Sequence, residues 1–419
     1  MVEKVVRLFF FGLIVIAIPV VIYDAARMWS DFVVYHHTAR TLLSGTGPLY
    51  GPESGLGWPQ YFRYPPLFIL LFVPFALLPL PVAAGVWAAI KLVVLYLLVR
   101  TLKLRLRFPA TGYWFLIPLF ACAPLLIQEL RNGNVQFLVF ALVAFALLSV
   151  EEKPWVASAI LGFAVILKVW PLFFVPYLLA RRQLRVAAAA LLVVAVLAIA
   201  PALYFGWSGN IDLLRQWAVQ EWGTGSLSNA VWYPSQSLGG VLQNYFSKTD
   251  RSRWPDPNYP DVQLLSVNPV ALRVLWITIV GASYLGLLWL ARNGSKTSSW
   301  MEHSLAFAML PLLQPFAHRI VFVDLLWPML VVAAMLSRNV FSNRSKFFLY
   351  GAAAILVLEP FVPGGHAQRF LQIAGSDFLA ACLLVTGLTI ACLETRTSNP
   401  RLEEPRPSMR DPAALLFLH

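Results

Sequence analysis

Long apolar runs recur along this chain, from "LFFFGLIVIAIPVVIY" near the start to "FLAACLLVTGLTIACL" near the end, and they constrain the fold more than any motif does. About 20 apolar residues suffice to cross a bilayer as a helix. In lipid the backbone must satisfy its own hydrogen bonds, which helices do within one segment. The composition agrees: 59% of residues are hydrophobic and 12% charged, about half the charged share of a soluble domain. The class is therefore all-α: a polytopic integral membrane protein. The net charge of +12 does not point to nucleic acid, because most basic residues sit in short tracts beside apolar runs, such as "KLRLR", "RRQLR" and "SNRSK". Cys122, Cys382 and Cys392 lie in or at the end of apolar segments and form neither a metal motif nor a disulfide framework. The basic, apolar N-terminus lacks a clean small-x-small cleavage site and is read as an uncleaved first helix.

Candidate spans fall at about 8–23, 82–100, 112–128, 135–150, 186–205, 271–291, 303–315, 320–336, 347–362 and 372–393. Two apolar stretches do not fit a simple crossing. In "YPPLFILLFVPFALLPLP" (64–81) Pro74 interrupts the run and predicts a kinked, re-entrant or interfacial helix. In 155–180, Lys168 and Pro171 sit at the centre, and a hairpin of two short helices turning at "LKVWP" brings the lysine to a surface. With these assignments and the N-terminus inside, basic residues are nearly threefold denser in the inner tracts, as the positive-inside bias requires. The expectation is about twelve membrane helices in one domain over 1–393, with outer loops at 24–81 and 206–270. A disordered cytoplasmic tail is expected over 394–419, and both termini are expected on the cytoplasmic side of the cell membrane.

That topology gathers the unusual polar residues on the outer face. Residues 31–43 read as a surface helix, with Phe32, Tyr35, Ala39 and Leu42 or Leu43 at helical spacing, Ser30 as its cap and Gly45 as its end. Asp31 in its first turn is either an ionised functional acid or a decoration of the helix start; Asp24 is a second candidate. "RNGNVQ" (131–136) offers the amides of Asn132 and Asn134 to a hydroxyl-rich ligand, or is simply a turn. Lys168 is a phosphate partner or a snorkelling lysine. Trp207, Trp217, Trp222 and Trp232 precede "PSQSLGG", which contains Gln236, and serve a sugar, a lipid or an interfacial belt. His318 and Arg319 lie at the mouth of a span with Asp324 two turns deeper, and Arg319 is the acid's nearest partner in sequence. No Gly-rich phosphate loop, GxSxG, CxxC or HExxH is present.

In order, "SDFVVYHHTARTLLSGTGPLY", "RYPPLFILLFVPFALLP", "NGNVQ", "LKVWPLFFVPYLLARR", "PSQSLGG" and "LLQPFAHR" resemble glycosyltransferase family 87, a mannosyltransferase-like group of the GT-C superfamily. The resemblance covers about residues 20 to 340. It implies a hexosyltransferase, mannose being the expected sugar, that uses a polyprenyl monophosphate donor, a lipid or glycan acceptor, and no obligatory metal or other cofactor. It implies Asp31 as catalytic base in an inverting reaction at the outer face, with His318 also catalytic. Lys168, Arg319 and Arg131 would hold the donor phosphate, and Asn132, Asn134, Gln236 and Tyr64 the substrate. A lipid-linked oligosaccharide polymerase, ligase or flippase, or a transporter, remains the competing class.

Overall fold

Proline and glycine punctuate the apolar runs and decide where the helices start and stop. The computed structural model describes residues 18–27, 30–57, 60–108, 113–224, 235–248, 260–294 and 299–397. Among the described residues every regular element is helical. Residues 18–27 continue the first apolar run as helix; its beginning, Trp232 and the tail beyond Thr397 lie outside the described residues.

Helix α1 (Phe32–Ser44) ends where Gly45 adopts the left-handed conformation at φ 66°, as expected. Its N-cap is Asp31, not Ser30, and the Asp31 side chain makes no capping bond. The face that carries Phe32, Tyr35 and Ala39 is buried against α2 (Pro66–Ala76). Aromatic rings make the joint: Tyr35 meets Phe68 edge-on at 5.1 Å, and Tyr64 stacks on Phe68 at 4.5 Å. His36 belongs to this joint, its Nε2 lying 3.0 Å from the Leu78 carbonyl. At 11 residues with Pro74 inside, α2 is too short to cross a bilayer, and the chain breaks before α3 (Leu80–Arg105).

Helices α4 (Leu116–Asn132), α5 (Gln136–Ser149) and α6 (Pro154–Leu167) follow in sequence. After α6 the backbone is extended at Lys168, turns through the 3-10 segment Trp170–Phe173 and returns as α7 (Phe174–Ala180). The reversal is fixed by what comes next. Ser158 Oγ donates to the Val186 carbonyl of α8 (Leu184–Ile199) at 3.2 Å. One turn further, Gly162 abuts Ala190 and Val193 so closely that a Cβ there would lie 2.6 Å from that of Val193. Helices α6 and α8 are therefore parallel, and Lys168 stands at the tip of the hairpin between them.

Helix α9 (Ala202–Thr224) leaves α8 at 94° and lies over the 50–64 loop. Gln220 bonds the Phe62 carbonyl at 2.7 Å and the Gly51 N–H at 2.8 Å. The rest comprises α10 (Leu238–Phe246), α11 (Pro269–Arg292), α12 (Ser299–Leu313), a 3-10 segment Arg319–Leu325 running into α13 (Leu326–Leu336), α14 (Asn343–Leu358), α15 (His366–Ala374) and α16 (Ser376–Thr397). Of the four described stretches long and apolar enough to cross a bilayer, the Arg319–Leu336 rod is the most enclosed, packed by α4, α5 and α12. Helix α16 runs to Thr397, four residues past the expected boundary at 393.

By length and composition, four described helical stretches suit a bilayer crossing: Leu80–Arg105, Pro269–Arg292, Arg319–Leu336 and Ser376–Arg396. The bent pair α8 and α9 makes a fifth if it is one span. Helix α5, which the hydropathy pattern counts as a crossing, has only 14 residues, fewer than a crossing needs.

Candidate active site

The turn 132–136 organises the site. Gly133 ends α4 at φ 71°, and a Cβ there would meet the Phe32 Cβ at 2.5 Å, so only glycine lets α1 approach this closely. Through that approach the Asp31 N–H donates to the Asn132 carbonyl at 2.8 Å, and Asn134 Nδ2 donates to Asp31 Oδ2 at 3.1 Å. The other end of the Asn134 amide accepts the Gln136 N–H at 2.8 Å and starts α5. Behind the turn stands a fully buried ion pair. Lys91 Nζ lies 2.8 Å from Glu129 Oε2 and also donates to the carbonyls of Glu129 (3.2 Å) and Asn134 (3.0 Å). All three ammonium protons are thereby used. Trp87 Nε1 adds a bond to the Gly133 carbonyl at 2.9 Å.

In front of the turn is a cavity of about 930 Å³ whose polar lining includes Asp31, Asn134, Lys168, His318, Arg63 and Glu221. Its opposite wall is apolar, with Val280, Gly281 and Tyr284 from α11, and Trp217 and Trp222 from α9. Burial raises the Asp31 carboxyl above the usual carboxylate range, while the Asn134 hydrogen bond and the charges of Lys168 and Lys91 pull it back. A half-buried carboxylate whose charged form is opposed by burial is a stronger proton acceptor than a fully solvated one. Burial, with Arg63 and Lys168 nearby, pushes the His318 imidazole down to about 4, so it is neutral near pH 7. Among the described residues no three His, Cys, Asp or Glu side chains converge as a metal site would.

The sequence model of glycosyltransferase family 87 matches residues 62–315, more than half of the chain. The chain belongs to glycosyltransferase family 87. It is similar to a polyprenol-phosphate-mannose-dependent alpha-(1-2)-phosphatidylinositol mannoside mannosyltransferase of Mycolicibacterium smegmatis, at 26% identity over 88% of this chain and 86% of the relative. A protein of the same description from Mycobacterium tuberculosis is 30% identical over 51% of this chain and 53% of the relative.

Of the residues that the sequence nominates in this family 87 hexosyltransferase, Asp31, His318, Lys168, Asn134 and Tyr64 share the cavity. The other four stand elsewhere. Arg319 lies 2.9 Å from Glu359 and 4.0 Å from Asp377. Gln236 is fully buried and exchanges two 2.8 Å bonds with Asp377. Arg131 pairs with Asp24 at 3.2 Å on the surface, and Asn132 contributes its backbone carbonyl. Asp324 does not meet Arg319; both its oxygens accept from Gln136 Nε2 at 3.0 Å. Trp217 and Trp222 reach the cavity, whereas Trp207 does not line it.

Sequence reasoning passes over Arg63, although it opens the "RYPP" stretch, and Glu221, which sits on a helix without distinctive neighbours. It also misses the Lys91–Glu129 pair. Two opposite charges inside apolar stretches were a signal, since such groups tend to pair.

Proposed function

We propose that this enzyme moves a hexose, mannose in the first instance, from a polyprenyl monophosphate to an acceptor hydroxyl at the outer face of the cytoplasmic membrane. Asp31 acts as base in a GT-C-like arrangement of about twelve membrane helices. The observation that carries the reading is the composition of this cavity. A half-buried carboxylate, two cations and an apolar wall from the sparsely buried helix α11 stand around one space. The relatives' names supply the donor class and make a phosphatidylinositol mannoside the first acceptor to try.

In this reaction the acceptor oxygen attacks the anomeric carbon as its proton passes to the Asp31 carboxylate. The bond between the anomeric carbon and the phosphate oxygen breaks with inversion, and the electron pair leaves on the polyprenyl phosphate. Phosphate leaves without the protonating acid that a glycosidase needs. Lys168 and Arg63 stabilise the departing phosphate by charge-assisted hydrogen bonds. Neutral His318 and the Asn134 amide hold sugar hydroxyls, and Trp217 and Trp222 bracket the ring or the first isoprene units.

The test measures free polyprenyl phosphate released by purified protein in nanodiscs, with polyprenyl monophosphate mannose or glucose as donor and a total lipid extract as acceptor. The expected result is release that requires acceptor and falls at least about a thousandfold in folded Asp31→Asn, the upper part of the range for loss of a general base. Full activity in that variant sinks the base assignment. No release with either donor, together with binding of a lipid diphosphate oligosaccharide, favours a polymerase or flippase.

A further inference from the structure

Lys168 does not hang freely from its hairpin. Its ammonium donates to Gln136 Oε1 at 2.8 Å, and Trp170 Nε1 donates to the same oxygen at 3.1 Å. The other end of the Gln136 amide faces Asp324, with Nε2 3.0 Å from each carboxylate oxygen. Chemistry fixes which way this amide points. An ammonium and an indole N–H can only donate, so the carbonyl must face Lys168 and Trp170, and the NH₂ is left to face Asp324. Gln136 and Asp324 are both fully buried. An acid that deep is costly unless something compensates it, and the nearest compensation is Lys168 at one remove.

We infer that Asp324 is a positioning residue. Acting through Gln136, it orients the amide that holds the Lys168 ammonium at the cavity wall, where the donor phosphate binds. The inserted amide matters physically. A carboxylate in direct contact would neutralise the lysine and compete with phosphate for it. A neutral carbonyl fixes the ammonium in place and leaves its charge directed at the ligand. Among the described residues Lys168 makes only this one hydrogen bond, so two of its three donors remain for phosphate oxygens. The turn that serves Asp31 also serves Lys168, because the Asn134 side chain that donates to Asp31 accepts the Gln136 N–H. Base and cation are thus spaced by one rigid five-residue turn.

The inference rests on the polyprenyl phosphate reading, and the test keeps the two apart. Binding of a short-chain polyprenyl monophosphate is titrated against purified wild type, Asp324→Asn, Lys168→Gln and the double variant. Thermal midpoints and the separate KM values for donor and acceptor are also recorded. Asp324→Asn should weaken the phosphate probe and raise the donor KM about tenfold, within the usual coupling range for groups in contact. The acceptor KM and thermal midpoint should hold. In the Lys168→Gln background the same substitution should cost less than about twofold, because its route of action is gone. Losses that multiply in the double variant overturn the inference, as does unaltered probe binding in Asp324→Asn. So does a parallel rise of both KM values with a fallen midpoint, which would mark a structural role. If wild type itself does not bind the probe, the phosphate reading falls first and takes the inference with it.

Discussion

Asn134→Asp exchanges one atom and separates two jobs that the side chain now does. The retained oxygen still accepts the Gln136 N–H and starts α5, while the donor that sits 3.1 Å from Asp31 Oδ2 is lost. A hydrogen bond to a charged group contributes about 1.5–3 kcal/mol. At 1.36 kcal/mol per pH unit, removing it raises the Asp31 carboxyl by about 1 to 2 pH units. The new carboxyl adds repulsion in the same direction, and the two acids then titrate as a pair. Asp31 must be ionised to accept the proton, so the acid limb of kcat/KM should move to higher pH by at least about 1 unit. Rates of polyprenyl phosphate release from pH 5 to 9 read this directly. At the pH of the wild-type half-maximum the variant should be about tenfold slower, and most of the loss should return two pH units higher. A limb that stays in place, or a loss that is the same at every pH, would refute the coupling between Asn134 and the base.

Two further outcomes follow from the buried charges. Lys91→Met leaves Glu129 without its partner 2.8 Å away and should destabilise the protein by about 3–5 kcal/mol, whereas Lys91→Met with Glu129→Gln should recover most of that in a denaturation series. His318 is held at about 4 in the folded protein against an ordinary value of 6.5, so the unfolded chain binds more protons between those values. Its contribution is complete above about pH 6.5 and is lost as pH falls toward 4; His318→Gln should flatten the fall in thermal midpoint between pH 7 and 5, and an unchanged slope would refute it.

The helical class and the C-terminal end of α1 were legible because periodicity and a C-terminal glycine are local signals. So was the reversal at Lys168, because a charge and a proline at the centre of an apolar run leave few alternatives. The convergence of Asp31, Asn134, Lys168 and His318 could be anticipated only as a shared face. What joins them is a glycine-enforced approach of two helices a hundred residues apart in sequence. The partners of Asp324 and Arg319 could not be read. Sequence proximity suggested that they meet, but Asp324 finds Gln136, 188 positions away, and Arg319 finds Glu359 and Asp377. What covers each apolar run could not be read for a related reason. A hydropathy window registers that a segment is greasy without registering whether lipid or neighbouring helices cover it, and α5 is covered by helices.

The cavity lining also bears on what happens between one turnover and the next. With both carboxyls ionised, Asp31 and Glu221 are matched by Lys168 and Arg63, and His318 adds nothing near pH 7. A phosphodiester donor brings a single negative charge into this balanced chamber. On the proposed mechanism, cleavage turns it into a phosphomonoester, which carries roughly −1.5 to −2 in water at pH 7, as Asp31 takes up a proton. The total inside is therefore the same before and after the bond breaks. Returning that proton to the phosphate as the product lipid departs restores the base without drawing on bulk water. On the proposed mechanism the cavity therefore carries the same total charge at each stage of the turnover.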